Sequence, residues 1–298
     1  MTSTAGHGRD GAQGTRRGRA VLPRPWTEGG DEPVARLTFV GTATTLLELG
    51  PFTLLTDPNF LHRGQRAWLG HGLVSKRLSE PALQVDELPP LDAVVLSHLH
   101  GDHFDRVARR GLARDLPVVT TGPAADRLQR WGFGGAAELA TWTSTEMHRD
   151  GWTLRITSTP GTHGPGPVAR LLPDVMGTVH ELFRGDELVH RLWVSGDTLR
   201  REFLRQVTGR CGPLDAAVLH LGGTRVLGLL VTMDARQGAD VVQMLEPRVT
   251  VPVHHDDYTV FRSALGHFTD EWGLRASRGG MPGQLRVVGR GETVSLVP

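Results

Sequence analysis

The chain has 298 residues, with 33 basic against 32 acidic side chains and a formal net charge of +1. That balance excludes a protein held on nucleic acid or a membrane by bulk charge, so any partner has to be recognised by a local site. Cys211 is the single cysteine, which excludes a disulfide framework and a thiolate metal site.

No apolar run approaches the roughly 18 residues that span a bilayer. The Arg16-Arg17 pair is followed by Gly, Arg and Pro rather than by an apolar segment, so it does not read as an export signal. A cytoplasmic location is expected. Of the 33 basic residues only Lys76 is lysine, a bias that follows from genome composition and points to no particular ligand.

Residues 1–32 carry Gly, Arg, Thr and Ala with almost no large apolar side chains before Val21, and are expected to form a disordered N-terminal tail. Residues 33–298 are expected to form one domain. Within it Leu37–Val40 reads as a strand, and 45–49 and 52–56 as two strands around Gly50-Pro51, the second running into Asp57-Pro58. From Pro58 to Pro90 no periodicity appears, as in a lid or binding loop, and its first part carries Arg63, Arg66, Lys76 and Arg77 with no acidic residue.

Residues 92–96 form a short buried strand that delivers Ser97-His98-Leu99-His100-Gly101-Asp102-His103-Phe104-Asp105, after which a helix is expected to about Arg114. A strand at 117–120 and a helix from about Ala124 to Trp131, stopped by Gly132, continue an α/β alternation. The strand 152–157 leads to His163. Residues 179–183 and 188–194 suit a hairpin ending at Asp197, and 216–219 leads to His220. Asp234 caps a helix over Ala235–Leu245, and the strand 249–253 empties into His254-His255.

Three histidines and an aspartate within six positions, His98, His100, Asp102 and His103, crowd imidazoles around a carboxylate in a way that calls for positive charge between them. His98 and His100 can face one way while Asp102 and His103 serve a second ion, with Gly101 permitting the tight path. His163, Asp197 and His254 each lie just beyond a strand as well, where one sheet edge can gather them. Imidazole and carboxylate without thiolate suit zinc first, with manganese or iron compatible. Two divalent ions roughly 3.5–4 Å apart would hold a hydroxide and clamp the attacked group.

Ser97–Asp105 with His163, Asp197 and His254 resembles the metallo-β-lactamase superfamily. Gly41-Thr42-Ala43-Thr44, Leu55-Thr56-Asp57-Pro58, Glu87–Asp92 and Pro252-Val253-His254 further resemble its branch of ascorbate-phosphate lactonases and N-acyl-phosphatidylethanolamine phospholipase D. The resemblance spans Val34 to the C-terminus. It implies a four-layer αββα sandwich with two similar halves. It also implies one ion on His98, His100 and His163, another on Asp102, His103 and His254, and Asp197 bridging them. Asp57 would orient a ligand histidine, and His255, adjacent to His254, would be a pocket wall or support; by the residues alone either could be the last ligand.

The expected activity is metal-dependent hydrolysis of an ester-type bond, a phosphodiester or a lactone, in a small anionic substrate, with Asp102 and Asp197 moving protons. A nuclease of the same superfamily and a non-catalytic metal-binding regulator are the alternatives; charge and length give no sign of nucleic-acid binding. The basic set 63–77 would meet a phosphate or simply be solvated. Gly222–Leu230 would line a pocket or pack in the core, and His220 reads as a core residue. His62, His71, His148, His180, His190 and His267 have no partner pattern and are expected at the surface.

Overall fold

The structure, a computed structural model, describes Leu22, residues 25–166, Ala169 and residues 171–298. Residues 1–32, expected as a tail, therefore lie outside the described residues except for Leu22 and 25–32. Within that short stretch Trp26 meets Trp152 edge-on, ring centroids 5.2 Å apart.

The chain is mixed α/β, built on two seven-stranded sheets. The first contains β1 (Ala35–Gly41), β2 (Thr44–Leu49), β3 (Phe52–Thr56), β6 (Ala93–Val95), β7 (Val118–Thr120), β8 (Ala136–Glu138) and β18 (Thr293–Ser295), in the order β18-β1-β2-β3-β6-β7-β8. The second contains β9 (Ser144–Arg149), β10 (Trp152–Pro160), β11 (Met176–Arg184), β12 (Glu187–Val194), β13 (Ala216–His220), β16 (Val249–Val253) and β17 (Gln284–Leu285), in the order β17-β16-β13-β12-β11-β10-β9. From β3 to β8 and from β12 to β17 neighbouring strands are parallel. Their C-terminal ends consequently open toward one edge.

Alternation within the strands explains the packing. Leu37, Leu47, Leu54 and Val95 of the first sheet meet Leu154, Leu182, Val218 and Val251 of the second in one core. The intervening residues serve the opposite faces. Leu46, Leu55 and Val94 pack with Ala108 of α1 (Arg106–Gly111) and Leu128 of α2 (Gly122–Arg130). Trp193, Ala217 and Leu219 pack with Val207 of α3 (Arg205–Cys211), Val242 of α4 (Ala235–Leu245) and Phe268 of α5 (Leu265–Ala276). Strands covered on both faces, such as β13 and β16, are buried at every position, which is why they read as nearly continuous apolar runs.

Three local expectations are corrected. The stretch 58–90 is not structureless: it holds a hairpin of β4 (Arg66–Trp68) and β5 (Val74–Lys76) and a 3-10 turn at Val85–Glu87. Strands of three residues are too short to display a period. His180 and His190 are buried at the interface of the two sheets rather than at the surface, because they share strand faces with Leu182 and Leu192. Of residues 222–230, Gly222, Gly223 and Thr224 are buried, whereas 225–230 do not pack as core: β14 (Arg225–Val226) and β15 (Leu229–Leu230) form a projecting hairpin with Val226 on a cavity wall. No helix among the described residues is long and apolar enough to cross a membrane.

Candidate metal centre

The loop after β6 is held before any ligand is considered. The carboxylate of Asp105 accepts four backbone N–H groups, from Phe60 at 2.5 Å, Leu61 at 2.6 Å, Val107 at 2.7 Å and Ala108 at 2.8 Å. It thus caps α1 and fastens the start of the 58–90 segment beneath the loop. Gly101 donates its N–H to the Trp68 carbonyl at 2.8 Å, and a Cβ there would stand 2.6 Å from that oxygen, so only glycine lets the hairpin close on the loop. Met176 N–H donates to Ser97 O at 3.1 Å, tying the second sheet to the first at the same edge.

All seven residues named as ligands from the sequence come together, buried. Donor atoms of His98, His100 and His163 lie within 4.8 Å of one another, as do those of Asp102, His103 and His254, and those of His98, His103 and Asp197. Asp197 thus stands next to both triads: it shares a donor group with His98 of the first, and its Oδ2 lies 3.4 Å from His103 Nε2 and its Oδ1 3.4 Å from His254 Nδ1 of the second. The neighbouring His255 turns away, its Nδ1 3.2 Å from Asp256 and its ring 6.0 Å from that of Phe39.

Outer groups fix the rings. His163 donates from Nδ1 to Val231 O at 2.8 Å, and His254 from Nδ1 to Leu221 O at 2.8 Å. His103 presents Nδ1 to Asp57 Oδ2 at 3.1 Å. In each case the proton sits on Nδ1, which leaves the Nε2 lone pair facing inward. Asp57 also accepts from Ser97 N–H at 2.7 Å, from the Ser97 hydroxyl at 3.0 Å and from His220 Nε2 at 3.1 Å. His220, read from sequence as an ordinary core residue, is therefore a second support of the carboxylate that orients His103. The one signal that could have found it is its place at the C-terminal end of β13, on the same edge as the ligand positions just beyond β6, β12 and β16.

The electrostatics favour a cation. Burial alone would raise the carboxylates, but the surrounding histidines outweigh it, holding Asp57 at about 2, Asp102 below its ordinary value and Asp197 well below. Burial, reinforced by neighbouring imidazoles, pushes His98 well below its ordinary value and His100 down to about 3; burial also lowers His163. Burial opposes charging His103 and His254 too, yet nearby carboxylates, Asp197 foremost, raise both. The ionised carboxylates and the neutral imidazoles of His98, His100 and His163 are the donor states that metal binding needs, and at His103 and His254 a metal ion would take the place of the proton that the carboxylates favour.

The residues fit a metal on a further ground. Asp102 Oδ1 and Asp197 Oδ1 are buried and accept no hydrogen bond. His98 Nε2 lies 3.0 Å from His100 Nδ1, and His103 Nε2 lies 3.1 Å from His254 Nε2. Ring nitrogens at that separation, among ionised carboxylates, call for positive charge between them. No thiolate is present, so the donor set is that of zinc, manganese or iron.

His100, Asp102, His163 and Asp197 open into a cavity of about 80 Å³ walled by Leu69, Leu73, Val74, Val226, Val231 and Val260, with Arg225 the one arginine or lysine on it among the described residues. A larger cavity of about 420 Å³ adjoins His100 and Gly101 from the other side and is edged by Arg66, Arg106, Arg109 and Arg127. Of the basic set expected to meet an anion, Arg77 is not available. It is wholly buried, donates to Ser79 O and Asn59, and stacks on Tyr258.

The sequence profile described as the beta-lactamase superfamily domain matches residues 53–255. An uncharacterized protein of Mycobacterium tuberculosis is 30% identical over 206 residues, 67% of this chain and 52% of the relative, so the chain spans about half the length of that relative. An N-acyl-phosphatidylethanolamine-hydrolyzing phospholipase D of Caenorhabditis elegans is 25% identical over 238 residues, 74% of this chain and 64% of the relative. A protein of Aeropyrum pernix named as a metal-dependent hydrolase is 25% identical over 276 residues, covering 87% and 97%. Among solved structures, a possible metal-dependent hydrolase from Veillonella parvula superposes with a TM-score of 0.72 at 21% identity, over 88% of this chain and 99% of that one. An isothiocyanate hydrolase from Delia radicum gut bacteria superposes with a TM-score of 0.71 at 22% identity, over 88% and 100%, a likeness of fold alone.

Proposed function

The chain belongs to the beta-lactamase superfamily, and from that premise we propose that it is a metal-dependent hydrolase of an ester-type bond, a phosphodiester or a lactone, in a small anionic substrate. Its architecture is read as the four-layer αββα sandwich, with residues 33–298 as the hydrolase domain. The single observation that carries the reading is the convergence of two three-residue donor groups on one shared carboxylate, Asp197.

His98, His100 and His163 would hold one divalent ion and Asp102, His103 and His254 the other, with Asp197 between them and zinc the first choice. When bound, such a pair supplies a hydroxide at neutral pH and polarises the attacked group.

The rest is the chain's own work. Asp57, braced by Ser97 and His220, keeps the His103 proton on Nδ1 and so keeps its Nε2 inward. Val231 O and Leu221 O do the same for His163 and His254. Asp102 Oδ1, buried at the cavity wall with no donor, can take a proton from the attacking water and pass it to the leaving oxygen. Arg225 at the cavity supports an anionic substrate, and the apolar walls exclude competing water.

The test is a panel of phosphodiesters and lactones run on wild type, Asp102→Asn and Asp197→Asn. Activity abolished by chelator, restored by zinc or manganese, and cut at least about a hundredfold in both variants is expected. Turnover that survives chelation, or equal rates in the variants, contradicts it.

A further inference from the structure

Ten large apolar side chains are exposed among the described residues, and six of them, Trp68, Leu73, Val74, Leu171, Leu227 and Leu229, sit on the three segments that frame the cavity mouth. The segments touch one another: His71 Nε2, at the tip of the β4–β5 hairpin, donates to Leu171 O at 2.5 Å. From these residues we infer that the rim docks the protein on a lipid surface carrying anionic headgroups.

Leu227 states the case most sharply. The β14–β15 hairpin turns on Leu227 and Gly228 alone, and both have positive φ, +50° and +81°. Such a turn favours Asn-Gly, and a branched side chain at its first central position is strained. Leu227 is also 96% exposed. A residue that is unfavourable for the backbone and for water at once gains nothing from the isolated chain; it gains if its side chain enters an apolar medium.

The β4–β5 hairpin repeats the pattern. Trp68 pairs with Val74 and Arg66 with Lys76, and all four lie on its exposed face, while Ala67 and Ser75 face inward. An indole and a valine near the tip, with two cations two pairs further back on the same face, match the depth profile of a bilayer surface, where apolar groups enter first and bases meet phosphates. Arg225 stands at the foot of the other hairpin. From Pro58 to Ser79 the chain has no acidic residue.

The occupant is a lipid surface rather than a second copy. A symmetric pair would gather Arg66, Lys76 and Arg225 of both copies in one interface, with no acidic residue between Pro58 and Ser79 to offset them, and would close the cavity mouth. Separate projecting tips suit insertion between lipids better than a flat protein face.

The experiment is co-sedimentation of the metal-loaded full chain with vesicles of phosphatidylcholine alone and of phosphatidylcholine with phosphatidylglycerol. Binding is read without turnover, so it stands or falls independently of the hydrolase reading. Wild type is expected to bind the mixed vesicles, less so as salt rises. Leu227→Asn should bind about tenfold more weakly with unchanged metal content and no loss of melting temperature, since Asn suits the turn. Arg66→Gln with Lys76→Gln should lose the preference for phosphatidylglycerol. Absence of wild-type binding to either vesicle, equal binding by Leu227→Asn, or a wild-type dimer that Leu227→Asn converts to monomer overturns the inference.

Discussion

Nε2 of His103 and Nε2 of His254 face each other at 3.1 Å, although each ring has already committed its Nδ1 proton outward, to Asp57 and to Leu221 O. Two ring nitrogens brought together from positions 151 residues apart, beside the carboxylates of Asp102 and Asp197, make a site that calls for positive charge. The rest of the molecule can be read as support for that arrangement.

Asp57 is the support whose loss should be felt at the metal without touching it. Asp57→Asn keeps the size but can no longer hold the His103 and His220 protons together, so affinity for zinc should fall about tenfold to a hundredfold in a chelator competition. His220→Leu should show a smaller loss, because Ser97 still braces the carboxylate.

Asp105 should prove structural. Its carboxylate serves four backbone N–H groups in the interior, and Asp105→Ala leaves all of them without an acceptor. A loss of about 3 kcal/mol or more is expected from the urea midpoint, with Asp105→Asn recovering part of it.

Gly101→Ala places a methyl group 2.6 Å from the Trp68 carbonyl oxygen and 2.7 Å from its nitrogen. Backbone on both sides cannot yield cheaply, so the β4–β5 hairpin should shift from the metal loop. Stability should fall by about 1–3 kcal/mol, and kcat should fall further than the melting curve explains.

Acid sensitivity should come partly from outside the metal centre. Burial lowers His180 to about 3 and, against the pull of Asp215, His190 to about 4. In the unfolded chain both titrate near about 6.5. Between that pH and the folded values the unfolded state binds the proton first, so stability is full above about 6.5 and falls as pH drops, by up to about 1.4 kcal/mol per unit for each histidine. Chelator-stripped His180→Leu, unfolded in denaturant between pH 7 and pH 5, should show a shallower slope than wild type; parallel slopes would refute it.

What the sequence disclosed follows from how local each signal is. His98, His100, Asp102 and His103 announce themselves because their chemistry is concentrated within one loop. His163, Asp197 and His254 follow because each stands at the end of a recognisable strand. His220 has the same placement, but no neighbouring sequence distinguishes a histidine that braces Asp57 from one that merely fills space. His180 was misjudged because β11 is buried on both faces around it and shows no polar alternation, and His190 because it takes an inward position of β12 that its own sequence marks as polar. Arg77 looks like its exposed neighbours until Asn59, Ser79 and Tyr258 enclose it, and none of these contacts is encoded near it except Ser79. The β4–β5 and β14–β15 hairpins escaped because two or three residues cannot carry a period.

The most direct measurement is a zinc titration of the chelator-stripped protein, following bound metal by mass spectrometry and hydrolysis of a responsive ester together. Two ions per chain are expected, with activity rising steeply only as the second binds and with His163→Ala and His254→Ala each retaining one site. Full activity at one equivalent, or binding of two ions that both variants leave intact, would contradict a centre shared across Asp197.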